Sequence, residues 1–223
     1  MLLFALGAAV YFRYFWFSFR ELPAARLVPA PLQDTTISTA TGSTLSYLGY
    51  KFEVPWDDAE EAKESGNVAI IPFRSGLTIA FLTHSSHEFL YELEKSGSLR
   101  REQICEMYGS AACESDYAFK KLMLEASPAK LTLFMPLRQR AGLENLLLLK
   151  SAAVRETSGL FLIETEEFRG FQFGDPAKAH GEILDELYGN DMGLEFIFGR
   201  KEKKPLGISQ PEINRVIQTV HRK

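Results

Sequence analysis

Apolar and polar residues alternate over residues 45–54, a pattern that predicts a half-buried β-strand. The strand should end at Pro55, because proline has no N–H to donate to a ladder. Two further apolar runs, 68–73 and 77–82, predict a pair of strands. Only Arg-Ser-Gly at 74–76 separates them, and glycine supplies the positive φ that a tight turn needs. The pattern therefore predicts one strand followed by a hairpin.

Between residues 89 and 150 the apolar positions recur every three or four residues, which is typical of helices packed on a core. The first of these helices covers residues 89–93. Three residues are suited to begin further helices, as N-caps or in the first turn: Ser98, Ser115 and Pro136. Residues 86–151 are therefore predicted to form a helical insertion.

Strand character returns at residues 160–163, 168–173 and 194–198, while 183–188 has helical spacing. The C-terminal end has the clearest helix signal. Ser209 and Glu212 match a capping box, with Pro211 in the first turn. One apolar stripe follows, made of Ile213, Val216, Ile217 and Val220. We expect an amphipathic helix that lies on the sheet.

These elements predict an α+β fold for residues 45–223. It consists of an antiparallel sheet of about six strands in two groups of three, with the helical insertion between the groups and the amphipathic helix at the C-terminus. Helices that are segregated in sequence argue against a doubly wound parallel sheet.

The N-terminal tail is apolar and aromatic from Leu2 to Phe19, with Arg13 as the interruption. A membrane-spanning helix needs about 20 such residues, so we predict a single-pass membrane helix over residues 1–20. A cleaved signal peptide is a second interpretation, although no basic residue precedes the apolar run. An amphipathic or core helix is a third.

The side of the membrane stays open. The arginines at 13, 20 and 26 follow the uninterrupted apolar stretch of residues 2–12 and favour a cytoplasmic domain, whereas a short N-terminus favours translocation of the folded domain. Residues 21–44 hold three prolines and then a Thr/Ser-rich stretch, which predicts a flexible tether. The globular domain is predicted to span residues 45–223.

Composition narrows the function classes. The chain has 223 residues, of which 46% are hydrophobic, and a net charge of -4 with acidic and basic residues interspersed. The sequence lacks the stripe of Lys and Arg residues that is typical of nucleic-acid binding. Two cysteines are too few for a disulfide framework or a four-cysteine zinc site.

The chain resembles the PsbP-like family in the order of its elements and in short motifs. Gly49-Tyr50-Lys51-Phe52-Glu53-Val54-Pro55 matches the aromatic opening strand of that family, and a strand hairpin follows over residues 68–82. Glu212-Ile213-Asn214-Arg215-Val216-Ile217 matches its closing helix. The resemblance implies an α-β-α sandwich that acts in binding or assembly, and it implies no catalytic residues.

Candidate chemistry is sparse. His84 and His87 lie three residues apart with Glu88 adjacent, so they could share a metal ion or serve a hydrolase, but the zincin motif needs a spacing of four. The acidic cluster within residues 57–64 does not have the spacing of a calcium loop, and a solvated helix start is the simpler interpretation. No nucleophile elbow, phosphate loop or dinucleotide motif is present in the sequence.

Cys105 and Cys113 flank a Gly-Ser turn that could bring them within bonding distance. In an oxidising compartment they could form a disulfide, and in the cytoplasm two buried thiols are the alternative.

The sequence therefore favours a membrane-tethered, non-catalytic binding or assembly module with an unknown protein partner and no cofactor. A carrier of a small apolar ligand is the second hypothesis, and a hydrolase using His84 or His87 is the third.

Overall fold

The computed structural model describes residues 23–96, 100–132, 135–154, 157–178, 181–200 and 205–223. They fall into two units. The helical unit contains the described residues within 23–29 and 89–154. The sheet unit contains those within 30–88 and 157–223, and it carries the candidate site.

The helical unit is built from α-helices joined by short 3₁₀ turns. The helices are α1 (Pro23–Arg26), α2 (Glu88–Lys95), α3 (Arg101–Tyr108), α4 (Asp116–Glu125) and α5 (Leu137–Ala153), and the 3₁₀ turns are Ser110–Cys113 and Pro128–Lys130. The predicted cap at Ser115 is confirmed, because its side chain accepts the N–H of Ala118 at 3.2 Å. Ser98, the other predicted cap, lies outside the described residues. Pro136 immediately precedes α5 as its N-cap.

The sheet unit contains an eight-stranded sheet. Its strands are β1 (Ala30–Pro31), β4 (Lys63–Ser65), β5 (Val68–Pro72), β6 (Leu77–Ser85), β7 (Leu160–Glu164), β8 (Arg169–Phe173), β9 (Ile183–Tyr188) and β10 (Met192–Arg200). The spatial order is β1-β7-β8-β9-β10-β6-β5-β4. The predicted hairpin is confirmed as β5 and β6, with Gly76 at φ +86° in the turn. All neighbours are antiparallel except β1 and β7, so the sheet is mixed rather than antiparallel throughout.

A second, three-stranded sheet has the order β11-β3-β2, with β2 at Ser43–Tyr47, β3 at Tyr50–Val54 and β11 at His221–Arg222. The single strand predicted over residues 45–54 is therefore wrong, because the chain turns at Leu48 and Gly49 and pairs with itself. The last helix, α6 (Gln210–Thr219), confirms the predicted C-terminal helix.

Two groups of strands meet at the β6–β10 pair in the middle of the large sheet. Phe81 and Phe196 are register partners there, with stacked rings 4.7 Å apart. Phe52 of the small sheet packs on both rings, at 5.3 and 5.2 Å. The apolar stripe of α6 joins the same buried cluster, as its pattern predicted. This core fixes the positions of the N-terminal end of α6 and of the strands beside it.

Two other predictions need correction. Residues 183–188, predicted as helix, form β9 inside the large sheet. No helix forms within residues 57–64, where the chain makes a bridge between Ala59 and Phe73 and then enters β4. In both cases pairing with neighbouring strands satisfies the backbone, and tertiary pairing overrides local spacing.

Candidate functional site

An open groove lies in the sheet unit beside the N-terminal end of α6. We call it the α6 groove. It is lined by residues 32–34, Phe161, 175–177 and 208–211 and has a volume of about 550 Å³. This volume lies within the range of known ligand sites, roughly 300–1,000 Å³. The lining segments come from distant parts of the chain and meet because β1 pairs with β7, and α6 packs on the core.

Much of the α6 groove is apolar. Leu32, Phe161 and Pro211 are partly exposed there, while Ile208 is buried with 6% of its surface accessible. Partly exposed apolar side chains in a concave surface gain free energy when a ligand covers them. The groove is therefore suited to a ligand with apolar groups.

A chain of three side-chain amides holds the groove in place. We call Gln172, Gln210 and Asn214 the amide chain. The amides of Gln172 and Gln210 each donate to the other at 2.8 Å, and Gln210 also donates to Asn214 at 3.0 Å. Gln172 and Asn214 are fully buried. Satisfied buried networks of this kind rigidify a structure.

The amide chain also positions residues 34–36, which lie at one wall of the groove. Asn214 donates both of its side-chain hydrogens to the backbone carbonyls of Asp34 and Thr36, each at 2.8 Å. Ser38 adds a backbone hydrogen bond to the carbonyl of Pro211 at 2.9 Å. Part of the segment predicted as a tether is thus bound along α6 and lines the α6 groove.

Two carboxylates stand at the groove. Asp34 is exposed and accepts hydrogen bonds from the hydroxyl of Thr36 at 2.6 Å and from its N–H at 3.1 Å. These two donors lower the pKa of Asp34. Asp175 is partly buried, accepts the N–H of Ala177 at 3.0 Å and forms an ion pair with Lys178 at 2.9 Å.

Asp185 lies on the core side of the same sheet, next to the amide chain. It is the register partner of Gln172 and of Phe196, and it is completely buried. Among the residues that the structure describes, neither of its carboxylate oxygens has a hydrogen-bond partner. Burial raises the pKa of Asp185 well above its usual value, so the neutral acid is favoured.

His84 lies on the opposite face of the large sheet, where its ring covers Gly193. Its Nδ1 is 2.9 Å from the carbonyl of Ser85, and its Nε2 is 3.7 Å from Oε1 of Glu195. A Cβ at position 193 would overlap the imidazole, which explains glycine there. The ring of Tyr188 packs edge-on at 6.1 Å. His84 thus has one carboxylate neighbour and a mostly buried ring.

His87 is exposed in the turn after β6, and its backbone N–H is 3.4 Å from the hydroxyl of Ser85. In the part of the chain that the structure describes, no group of three or more His, Cys, Asp or Glu residues is arranged to hold a metal ion. The predicted acidic cluster is also mostly at the surface, with Asp58 accepting the N–H of Ser75 at 2.7 Å. Asp58 therefore helps to close the β5–β6 turn.

Cys105 and Cys113 are joined by a disulfide in the helical unit, with Cα atoms 5.4 Å apart. The bond connects α3 to the 3₁₀ turn that comes after it. The guanidinium of Arg101 also binds this turn, through the carbonyl of Cys113 at 2.9 and 3.2 Å.

The predicted membrane helix, residues 1–20, lies outside the described residues. Within the described ranges, the helices lack the length and apolar character that a membrane span requires.

Sequence reasoning missed the residues that form the α6 groove. The capping box at Ser209 located the start of α6, and Asn214 beside the apolar stripe was a usable signal of a buried polar contact. The helix prediction for residues 183–188 placed Asp185 on the face opposite to Ile183 and Leu187. In a strand, side chains two residues apart share a face, so Asp185 is buried together with them.

The structure defines an α+β protein with a mixed sheet and a groove at the N-terminal end of its last helix. No protein-family model, curated protein or solved structure matches the chain.

Proposed function

We propose that the protein is a membrane-tethered, non-catalytic binding or assembly module, and that a segment of a protein partner binds in the α6 groove. The observation that carries the proposal is this groove of about 550 Å³, apolar in much of its lining and held by a buried amide chain. Preformed concave sites reduce the entropy lost on binding. The apolar tail at residues 1–20 supports a single-pass membrane location.

The PsbP-like resemblance supports the same class of function, since it implies a binding or assembly role. The disulfide of Cys105 and Cys113 supports an oxidising compartment for the folded domain. This compartment would require translocation of the domain across the membrane in which the N-terminal helix is anchored.

A carrier of a small apolar ligand is the second candidate. Leu32, Phe161 and Pro211 favour it, because they offer apolar contacts to a small molecule as well as to a peptide. Native mass spectrometry of the purified full-length protein separates the two candidates. A co-purifying small molecule of constant mass would favour the carrier.

A hydrolase using His84 is the third candidate, and the carboxylate of Glu195 at 3.7 Å is the observation that favours it. A broad esterase and amidase screen tests it. Turnover that disappears in His84→Gln would overturn the non-catalytic proposal.

The proposal itself is tested by panning a library of random linear peptides against the full-length protein in lipid nanodiscs. We expect a family of related peptides to be enriched by the wild type. The variant Ala177→Trp should abolish the enrichment, because Ala177 is exposed in the groove and an indole there fills it.

Ala129→Trp is the matched control. Ala129 is also exposed, and its N–H also binds a side-chain oxygen two residues earlier, that of Ser127 at 3.3 Å. This position lies in the helical unit, so the control should retain the enriched peptides. If no peptide is enriched, or if both variants behave alike, the proposal is wrong.

A further inference from the structure

The charge of the α6 groove has one sign. Asp34 and Asp175 line it, and none of the other described lining residues carries a formal charge. Asp34 stays ionised at neutral pH, because the Thr36 hydroxyl and N–H both stabilise the carboxylate and lower its pKa. The groove therefore combines apolar contacts with negative charge at its rim.

The N-terminal end of α6 does not reverse this sign. Helix N-termini attract anions through their free N–H groups and their dipole. Here the carboxylate of Glu212 already accepts the N–H and the hydroxyl of Ser209, each at 2.7 Å, and Pro211 has no N–H to offer. A phosphate or carboxylate ligand there would be opposed by the negative charges of Glu212, Asp34 and Asp175.

We propose that the α6 groove binds an extended, positively charged peptide segment of a partner protein, in which Lys or Arg lies beside apolar residues. This inference rests on the proposed function and names the chemistry of the partner. The apolar side chains of the segment cover Leu32, Phe161 and Pro211, while its cations face Asp34 and Asp175. Charge complementarity of this kind sets specificity and association rate more than total affinity.

The open shape of the groove favours a peptide over a small organic cation. Sites for small molecules usually enclose 70–90% or more of the ligand. The α6 groove opens to solvent along the surface, next to the exposed strand β1. A peptide that continues beyond the groove at both ends fits this shape, whereas a small ligand would stay half-exposed to solvent.

Lys178 provides a test in which a substitution should strengthen peptide binding instead of weakening it. It is exposed and pairs with Asp175 at 2.9 Å, so it competes with an incoming cation for that carboxylate. Lys178→Gln removes the competitor and leaves both groove carboxylates in place. Asp34→Asn removes one charge and retains an oxygen that can accept the Thr36 N–H.

The experiment uses the peptides enriched by the full-length protein in nanodiscs, with affinities measured by fluorescence anisotropy. We expect enriched peptides to carry Lys or Arg, and we expect Asp34→Asn to weaken their binding about threefold at low salt. Lys178→Gln should strengthen binding about twofold. Both effects should vanish at about 1 M salt, where the Debye length is about 3 Å.

The outcomes separate this inference from the proposed function. Neutral or acidic peptides that Ala177→Trp blocks, but to which Asp34→Asn is indifferent, would overturn the charge preference and leave the binding function standing. Peptides that bind the wild type and Ala177→Trp equally would overturn both. A groove occupied by a co-purifying apolar molecule or by a second copy of the chain would also overturn the inference.

Discussion

Asp116 in the helical unit and Asp185 in the sheet unit are both completely buried, but among the described residues only Asp116 finds donors for its carboxylate. Asp116 accepts the N–H groups of Phe89 and Leu90 at 2.7 and 3.0 Å. Neither oxygen of Asp185 has a partner in the described part of the chain. The first turn of a helix leaves N–H groups free, whereas the ladder of an inner strand uses its backbone donors.

A buried carboxylate is stabilising where backbone N–H groups are free to donate to it. Asp116 satisfies the start of α2 and should stabilise the helical unit. Asp185 lies between Gln172 and Phe196 in register, and Gln172 already uses its amide hydrogens on Gln210 and Gly174. The carboxyl group of Asp185 should therefore reduce the stability of the sheet unit at neutral pH.

The largest effect is expected for Asp116→Ala. Two backbone N–H groups at the start of α2 lose a charged acceptor, which costs about 3 kcal/mol. Hydrogen exchange of the full chain, followed at Phe89 and Leu90, measures the loss. Asp57→Ala, at an exposed position, should leave both protections unchanged. Equal effects of the two variants would contradict the capping role.

Asp185→Asn should act in the opposite direction and stabilise the sheet unit at pH 7. The folded pKa of Asp185 is raised, so the wild type has its full stability below the unfolded value of 3.8 and loses stability as the pH rises above it. The amide does not ionise, so the variant should lack this decline. Urea denaturation at pH 4 and at pH 7 measures both.

A destabilised Asp185→Asn variant at pH 7 would contradict the account. It would indicate that the carboxyl makes a stabilising contact that the amide cannot replace.

Lys150 extends the comparison to a buried cation. It is completely buried in α5 and donates to the carbonyl of Ala126 at 2.6 Å. Burial, with a smaller contribution from Lys130, lowers the pKa of Lys150 to about 8. Below pH 8 Lys150 is charged in the folded state as well, and burying this charge reduces stability. Between about 8 and about 10.5 the folded state has released the proton and the unfolded state has kept it, so stability should rise with pH over this range.

Lys150→Met keeps most of the apolar stem and removes the charge. We expect it to stabilise the helical unit by about 1 kcal/mol at pH 7, since the lost hydrogen bond offsets part of the gain. Thermal denaturation followed by circular dichroism, at pH 7 and at pH 10, measures the difference. A stability that rises equally with pH in both proteins would show that Lys150 is not its source.

The smallest effect on stability is expected for Asp34→Asn. The carboxylate of Asp34 is exposed and lies at the rim of the α6 groove, so the fold depends little on its charge. The melting temperature should stay within error of the wild type. The affinity for positively charged peptides should fall about threefold. A fall in stability without a change in affinity would assign Asp34 to the fold and not to binding.

The sequence predicted elements that depend on local signals. The β5–β6 hairpin followed from Gly76, and α6 followed from Ser209, Glu212 and the apolar stripe. Prediction from the sequence failed where pairing between distant strands decides the structure. Residues 183–188 have helical spacing, yet β8 and β10 on either side fix them as a strand.

The α6 groove could not be predicted for the same reason. Asn214 contacts the backbone of Asp34 and Thr36 across 180 and 178 residues. Gln172 meets Gln210 across 38 residues. Side chains at such separations approach each other only after the sheet and α6 have formed, and no local pattern records which residues will meet.

We expect a positively charged peptide to lie in the α6 groove. The most direct measurement attaches a photoreactive benzophenone to an enriched peptide, irradiates its complex with the full-length protein, and maps the modified residues by mass spectrometry. The account predicts adducts at residues 32–34, 175–177 and 208–211, and their loss in Ala177→Trp. Adducts concentrated elsewhere in the described chain, with the groove unmodified, would contradict it.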